Sequence, residues 1–242
     1  MLNSPWPSLI WQLYDYYYIT NGAFHGSQIA NEPLHIQYSY DDHSIWVINT
    51  SLEKKMDLRA KIVLLNFRSE EIFNQTIEPI ILEPNSRLNL NVTLPENQNE
   101  ELNTFLILYL EDNHQQVSRN LYWLSKQPDV FEDKDEWYYT PLKQHADMKS
   151  LQKLPTSTIK STQRLENDQL HITIENISQH IAFFIRIDVL DKASLQVISP
   201  IFWTTNYISL VPQEKITVIG RLPKNFDINN IDIKMTGWNC KG

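Results

Sequence analysis

The chain contains 242 residues, of which 21 are basic and 29 acidic, so that its formal net charge is −8. This length allows one large domain or two of ordinary size, and a composition of 42% hydrophobic and 21% charged residues is typical of a globular protein. Only 5 residues are glycine. None of them forms a dinucleotide-binding fingerprint, a P-loop or a nucleophile elbow, which argues against nucleotide-binding and α/β-hydrolase folds.

Charge and cysteine content argue against further classes of protein. An acidic chain without clustered lysine and arginine does not favour nucleic acid as a partner. Its single cysteine, Cys240, cannot form an internal disulfide and makes a cysteine zinc site unexpected. The apolar start has no basic residue before Lys54, so it lacks the charged region of a signal peptide, and no run of eighteen apolar residues predicts a membrane span.

From Leu34 onward the pattern predicts β-strands. Segments 35–38 and 44–48 alternate polar and apolar residues around a predicted turn at 41–43. Further strands are predicted at 58–67, 72–77, 88–94, 105–110 and 117–124. Seven short strands separated by polar turns in about 90 residues are typical of an immunoglobulin-like (Ig-like) β-sandwich, here placed at 34–125.

A second sandwich is predicted after a charged, proline-punctuated connector at 126–149, which has a short helix near its end. Strand patterning resumes at 159–165, 170–175, 182–190, 204–210, 215–219 and 231–236. The predicted fold class is therefore all-β: two tandem Ig-like β-sandwiches at 34–125 and 150–242, preceded by an aromatic-rich N-terminal arm at 1–33.

The arm carries seven aromatic residues and lacks strand alternation. Exposure of such side chains costs about 1.5–3 kcal/mol each relative to burial. We therefore expect Leu2–Ile19 to fold back on the first sandwich or to pair with another copy of the chain through its free backbone edge.

Few residues are candidates for chemistry. Most carboxylates fall in predicted turns, where they are expected to be solvated. Asp15 and Glu32 neighbour apolar residues and are therefore better candidates for a functional role. His25, His35 and His43 lack metal-ligand spacing, and Cys240 is expected to be a packed thiol. No cofactor or metal is expected. Four glycosylation sequons, at Asn49, Asn74, Asn91 and Asn176, are interpreted as chance in an asparagine-rich chain.

One long motif resembles a known family. The segment 6–17 (WPSLIWQLYDYY), followed by 22–26 (GAFHG) and 32–38 (EPLHIQY), resembles the glycoside hydrolase family 2 exo-β-D-glucosaminidases and their β-mannosidase relatives. The resemblance continues to the end of the chain, through segments 122–125 (YWLS), 128–130 (PDV), 137–141 (WYYTP), 200–203 (PIFW) and 206–207 (NY).

The resemblance implies that the arm corresponds to the last strand and following helix of a catalytic (β/α)₈ barrel, with two Ig-like domains after it. By resemblance, Trp6 corresponds to an aromatic residue that helps to wall the sugar subsite, a vestigial role in this chain alone. No glutamate here matches either catalytic position of the family. The implied function is a non-catalytic C-terminal accessory region of such a hydrolase, acting on β-linked glucosamine or mannose.

The alternative is a stand-alone glycan- or protein-binding β-sandwich module. Expected partners are a second copy or a catalytic partner bound through the arm, and a glycan; nucleic acid and membrane are not expected. Without a signal peptide in this sequence, the cytoplasm is the default expectation for its location, which otherwise stays open.

Overall fold

The computed structural model describes residues 12–95, 103–132, 140–223 and 230–241. Two compact units are present. The first comprises 32–154, and the second combines the N-terminal residues up to 31 with 155–242. Each unit contains a two-sheet β-sandwich with its own apolar core, in agreement with the predicted all-β, tandem Ig-like fold.

The first sandwich is built from the seven strands that the alternation predicts. One sheet has the order β1-β2-β5 and the other β4-β3-β6-β7, and every pairing is antiparallel. The strands are β1 (Leu34–Tyr38), β2 (Ile45–Asn49), β3 (Lys55–Asn66), β4 (Glu71–Leu82), β5 (Ser86–Asn89), β6 (Asn103–Asp112) and β7 (Gln115–Ser125).

Period-two patterning explains the core of the first sandwich. In β2, Ile45 and Val47 face inward, whereas β6 is buried along nearly its whole length because it is a central strand. Fully buried Ile62, Leu106 and Leu108 join them between the two sheets. Burial of each such side chain is worth about 1.5–3 kcal/mol.

The segment predicted as a connector lies in the same compact unit as the first sandwich. It contains a short hairpin of β8 (Val130–Phe131) and β9 (Leu142–Gln144), and a 3-10 helix at Lys149–Lys153. The buried Asn103 side chain donates to the Asp147 carbonyl at 2.8 Å and to Ser150 Oγ at 2.7 Å. These bonds hold the end of the segment against β6.

The second sandwich also has two sheets, with the orders β13-β15-β11-β10-β17 and β14-β12-β16. Its strands are β10 (Ser157–Glu166), β11 (Gln169–Asn176), β12 (Ala182–Asp191), β13 (Phe202–Trp203), β14 (Ile208–Leu210), β15 (Lys215–Arg221), β16 (Ile231–Thr236) and β17 (Cys240–Lys241). The core contains Ile172, Ile187 and Val218, which are buried between the sheets.

One predicted strand, 204–210, is shorter than expected and begins at Ile208. Buried Asn206 bonds both backbone groups of Ile187 at 2.9 Å through its side chain, and Tyr207 adopts a left-handed φ of 54°. The side chain of Asn206 therefore replaces the ladder bonds that a continued strand would make.

The described part of the arm, from residue 12 onward, packs on the second sandwich. It forms a loop from Tyr14 to Thr20 and a helix α1 (Gly22–Ala30), and it belongs to the same compact unit as 155–242. The prediction that the arm folds on the first sandwich is therefore wrong for these residues. Pairing with a second copy stays a prediction.

Candidate functional site

Asp15 organises the loop that precedes α1. Its Oδ1 accepts hydrogen bonds from the backbone amides of Tyr17 at 2.8 Å and Ile19 at 3.0 Å. The loop closes with a bridge between Tyr14 and Thr20. The carboxylate that the sequence singled out is thus used to shape a turn, and the turn leaves Tyr16, Tyr17 and Tyr18 each more than half exposed.

Helix α1 begins at Gly22 because Asn21 caps it. Asn21 Oδ1 accepts from the Phe24 amide at 3.0 Å, while its Nδ2 donates to the carbonyl of Gln12 at 2.8 Å. The cap therefore ties the helix to the chain segment before the loop. One face of the helix carries His25 into the interior, where only 2% of its surface remains exposed.

His25 links the loop and the helix through both ring nitrogens. Nε2 lies 3.0 Å from Thr20 Oγ1, and Nδ1 lies 3.2 Å from Gln28 Oε1. Burial lowers the pKa of His25, although the bond to Gln28 opposes this effect. A neutral ring with its proton on Nδ1 satisfies both contacts, because it donates to Gln28 and accepts from the Thr20 hydroxyl.

Two aromatic residues of the second sandwich receive this helix. Strand β12 has a register irregularity between Ala182 and Ile185, within which Phe184 adopts a left-handed φ of 57°. Its ring lies 5.4 Å from that of Tyr207. The Tyr207 ring in turn lies 6.1 Å from the His25 ring, and the Tyr207 hydroxyl donates to the Thr20 carbonyl at 3.3 Å.

Gly22 allows the close approach of helix and sandwich. A Cβ at this position would lie only 2.9 Å from the Phe184 ring, so a larger residue would push the helix away from β12. Left-handed backbone at bulky residues is costly. Phe184 and Tyr207 both adopt this left-handed conformation, and both side chains lie near Gly22 of the arm.

A groove of about 520 Å³ opens beside this contact, between the arm and the segment that leads into β13. Its lining consists largely of aromatic and apolar side chains: Tyr14, Tyr18, Thr20, Phe24, His25, Gln28, Pro200, Ile201, Phe202 and Trp203. Trp203 lies against Gly220 of β15, where a Cβ would come within 2.6 Å of the indole ring. This groove is the candidate functional site.

The other candidates from the sequence do not converge on the groove. Trp6 lies outside the described residues. Glu32 and His35 lie in the first unit, where His35 is buried and its Nδ1 contacts the Glu32 carbonyl at 2.8 Å. His43 contacts the Tyr38 hydroxyl. Glu32, His35 and His43 therefore belong to a different compact unit from the residues that line the groove.

Cys240 is a half-buried thiol on β17. Its Sγ lies 3.3 Å from Ser157 Oγ, and burial raises its pKa. A thiol with a raised pKa is a poor nucleophile, so the expectation of a packed side chain agrees with this environment. No group of three or more histidine, cysteine, aspartate or glutamate residues in the described part of the chain could hold a metal ion.

Two of the four sequons have a structural use. Asn49 and Asn176 are fully buried and bonded through their side chains to backbone groups, whereas Asn74 and Asn91 are exposed. Within the described residues, no helix is long and apolar enough to cross a membrane.

Comparison with known proteins finds relatives that match the chain over its whole length. The chain is 34% identical over 251 residues to the exo-β-D-glucosaminidase of Amycolatopsis orientalis, which covers 99% of this chain and 24% of that protein. It is 30% identical to the exo-β-D-glucosaminidase of Arthroderma benhamiae, with 100% of this chain and 27% of that protein covered. The chain thus spans about a quarter of the length of these relatives.

Solved structures show the same fold. The exo-chitosanase of Amycolatopsis orientalis in complex with PNP-β-D-glucosamine superposes with a TM-score of 0.89 at 33% identity, covering 99% of this chain and 29% of that one. A β-D-mannosidase from Dictyoglomus thermophilum superposes with a TM-score of 0.70 at 16% identity, with 99% and 26% covered, which shows a shared fold alone.

The two sandwiches make this chain a tandem Ig-like protein. Residues 41–127 match the mannosidase Ig/CBM-like domain family, and residues 137–240 match the exo-β-D-glucosaminidase Ig-fold domain family. The chain is therefore the Ig-like C-terminal part of a glycoside hydrolase family 2 protein of the exo-β-D-glucosaminidase type.

Sequence reasoning missed the residues that form the groove and the arm contact. Phe202 and Trp203 are predicted only as members of motifs that resemble the family, Tyr207 also as part of a strand, and Phe184 as an ordinary strand residue. A two-phenylalanine run inside an alternating strand is a weak signal of a bulge. The contact between the arm and β12 joins residues that are far apart in the chain, so no local sequence pattern predicts it.

Proposed function

We propose that the chain is the accessory region of an enzyme that releases β-linked glucosamine from the ends of oligosaccharides. The relatives that match over the whole chain carry the name exo-β-D-glucosaminidase, at 30–34% identity. The observation that carries the proposal is the joint folding of the arm with the second sandwich. That arrangement would fix this sandwich against whatever domain continues the arm toward the N-terminus.

The contact between arm and sandwich suits this role. The Tyr207 hydroxyl donates to the Thr20 carbonyl of the arm, and the Tyr207 ring lies near that of buried His25. Gly22 lets the arm approach the Phe184 ring closely. An accessory domain held rigidly can keep a neighbouring domain in a productive position. In the complete protein, we propose Trp6 as an aromatic wall of the sugar site, and a catalytic domain as the main partner of the arm.

A binding role is the second candidate, and the groove favours it. Its volume of about 520 Å³ lies within the range of small-molecule sites. Several aromatic side chains line it, and sugar rings present apolar faces that pack on such rings. Binding of a glycan by the groove is compatible with an accessory role.

The accessory role can be tested by a domain graft. This chain would replace the corresponding C-terminal part of the Amycolatopsis orientalis enzyme, and hydrolysis of PNP-β-D-glucosamine would be measured. We expect the graft to hydrolyse the substrate, and both the isolated chain and the enzyme lacking its C-terminal part to be inactive.

Two results would contradict the proposal. A graft that is folded by circular dichroism and thermal unfolding, yet inactive, would show that this chain cannot serve as the accessory region. Hydrolysis by the purified isolated chain, lost on Asp15→Asn or Glu32→Gln substitution, would show that the chain is itself catalytic.

A further inference from the structure

Strand β1 is an edge strand of the first sandwich, in the sheet with the order β1-β2-β5. In an antiparallel pair, alternate residues of an edge strand direct their backbone N–H and C=O groups away from the neighbouring strand. Just beyond β1, the Ser39 amide donates to the Ser44 carbonyl at 2.9 Å, so the outward groups are those of Ile36 and Tyr38. Both residues are buried, and their outward groups therefore need partners in the protein.

Three side chains of β7 supply these partners. The Ile36 amide donates to Ser118 Oγ at 3.4 Å, and the Ile36 carbonyl accepts from Asn120 Nδ2 at 2.7 Å. The Tyr38 amide donates to the Tyr122 hydroxyl oxygen at 3.1 Å. Because the three residues occupy every second position of β7, they lie on one face of that strand. This row of Ser118, Asn120 and Tyr122, here called the seam, joins the edges of the two sheets in place of a backbone ladder.

Both ends of the seam are held in place by further contacts. At one end, the Tyr122 ring lies 5.6 Å from the Tyr38 ring and 5.8 Å from the Tyr40 ring. At the other end, Ser118 is buried and a hydrogen bond joins it to Glu32. The seam side chains are therefore fixed in the orientation that bonds the edge of β1.

The other outer strands of this sandwich have a different kind of protection. Sheets avoid pairing with other chains through charged residues, prolines and very short strands at their edges. Strand β4 contains Glu78 and Pro79, and β5 has only 4 residues, one of which is Arg87. Strand β1, with the sequence LHIQY, contains no lysine, arginine, aspartate, glutamate or proline. Its edge therefore depends on the seam.

We propose that the seam blocks strand addition at β1, and that its loss lets the β1 strands of two copies of the chain pair antiparallel. Two identical antiparallel strands are related by a two-fold axis. An axis at Ile36 would place Leu34 of each copy opposite Tyr38 of the other, and the outward backbone groups of both copies would bond each other. Such pairing requires the edges of β1 and β7 to separate, which the seam prevents.

Amide hydrogen exchange of the full chain, resolved by residue with NMR, tests the bonds of the seam. Tyr122→Phe keeps the ring and removes the hydroxyl oxygen, so we expect the Tyr38 amide to exchange about tenfold faster or more. The Ser39 amide, which bonds to the Ser44 carbonyl, should exchange as in the parent. Gln116→Ala changes an exposed residue of β7 and is the matched control, with no expected effect. Equal exchange of the Tyr38 amide in Tyr122→Phe and the parent would overturn the role of the seam.

Self-association tests the blocking of β1. By sedimentation, we expect the triple variant Ser118→Ala/Asn120→Ala/Tyr122→Phe to dimerise at least about tenfold more tightly than Gln116→Ala. Adding Gln37→Lys, which places a charge on the β1 edge, should return the triple variant to the behaviour of the control. If the triple variant does not fold, Asn120→Ala alone replaces it in both comparisons. A folded variant that associates no more than the control, or whose association Gln37→Lys does not reverse, would overturn the proposal.

Discussion

Glu32 carries an unusual buried oxygen. It lies just before β1, and its Oε2 is buried and has no hydrogen-bond partner. Burial raises the pKa of Glu32, while a hydrogen bond with Ser118 and the nearby His35 act in the opposite direction. The folded state therefore holds the proton of this carboxyl group more tightly than the unfolded state does.

Glu32→Gln should stabilise the first unit above acidic pH. A raised folded-state pKa contributes stability that is present below about pH 4.5 and is lost as pH rises through the folded-state value. The stability difference between variant and parent should be near zero below that pH, and should increase to about 1 kcal/mol at most, since water screens a half-exposed carboxylate. Urea unfolding at several pH values measures this difference.

Glu132→Gln is the control for this experiment, because Glu132 is exposed and lies in the same unit. Its substitution should leave the pH profile unchanged. A Glu32→Gln variant that is less stable than the parent at neutral pH would show that the buried charge has a partner that compensates for its burial.

At the scale of elements, the two sandwiches share one local device. Asn49 ends β2 and Asn176 ends β11, and each is followed two residues later by a serine. Asn176 Nδ2 donates to the carbonyls of His180, Leu210 and Val211. Its Oδ1 accepts from the backbone and hydroxyl of Ser178. Asn49 bonds Ser51, Glu53 and Glu83 in the same way.

Substitution of these asparagines should be strongly destabilising. Asn176→Ala leaves several buried backbone carbonyls without their donor, and we expect a loss of about 2–4 kcal/mol in unfolding free energy. Asn49→Ala should act similarly on the first unit. Asn74→Ala, at an exposed sequon, should change stability by less than about 0.5 kcal/mol, and chemical denaturation of the three variants compares them. Equal stability of all three would contradict a structural role for the buried pair.

Strand prediction succeeded where the pattern of apolar residues determined the structure. All seven strands of the first sandwich were found, because strands such as β2 alternate with period two and the central strands β3 and β6 are continuous apolar runs. The predicted strand at 88–94 instead ends at Asn89, since Asn91 takes a left-handed φ of 52°. Such departures depend on side-chain bonds and backbone angles that a hydropathy pattern does not encode.

The groove could not be predicted for a related reason. Its walls come from segments more than 170 residues apart in sequence, and an irregularity in β12 places Phe184 against Gly22 of the arm. The resemblance to a family identified the motifs that contain Phe202, Trp203 and Tyr207. It did not show that these residues and the arm share one surface.

For the whole molecule, the main feature is a unit made of two distant chain segments. The described residues of the arm fold with 155–242, although a complete sandwich unit of 123 residues, Glu32–Leu154, separates them in sequence. The aromatic arm is thus buried in part by its own chain, as the cost of exposing its rings requires. A change at the arm contact should therefore affect the C-terminal sandwich and leave the sandwich next in sequence intact.

Gly22→Val and Gly26→Val test this coupling as a matched pair within α1. A Cβ at Gly22 meets the Phe184 ring at 2.9 Å, whereas a Cβ at Gly26 meets nothing within 4 Å. We expect Gly22→Val to cost about 1–3 kcal/mol through overpacking, and Gly26→Val to cost little. Amide hydrogen exchange read by mass spectrometry should show faster exchange in β12 and β14 of the Gly22 variant and unchanged exchange in β3 and β6. Equal effects of the two substitutions, or faster exchange confined to the first sandwich, would show that the arm does not stabilise the C-terminal unit.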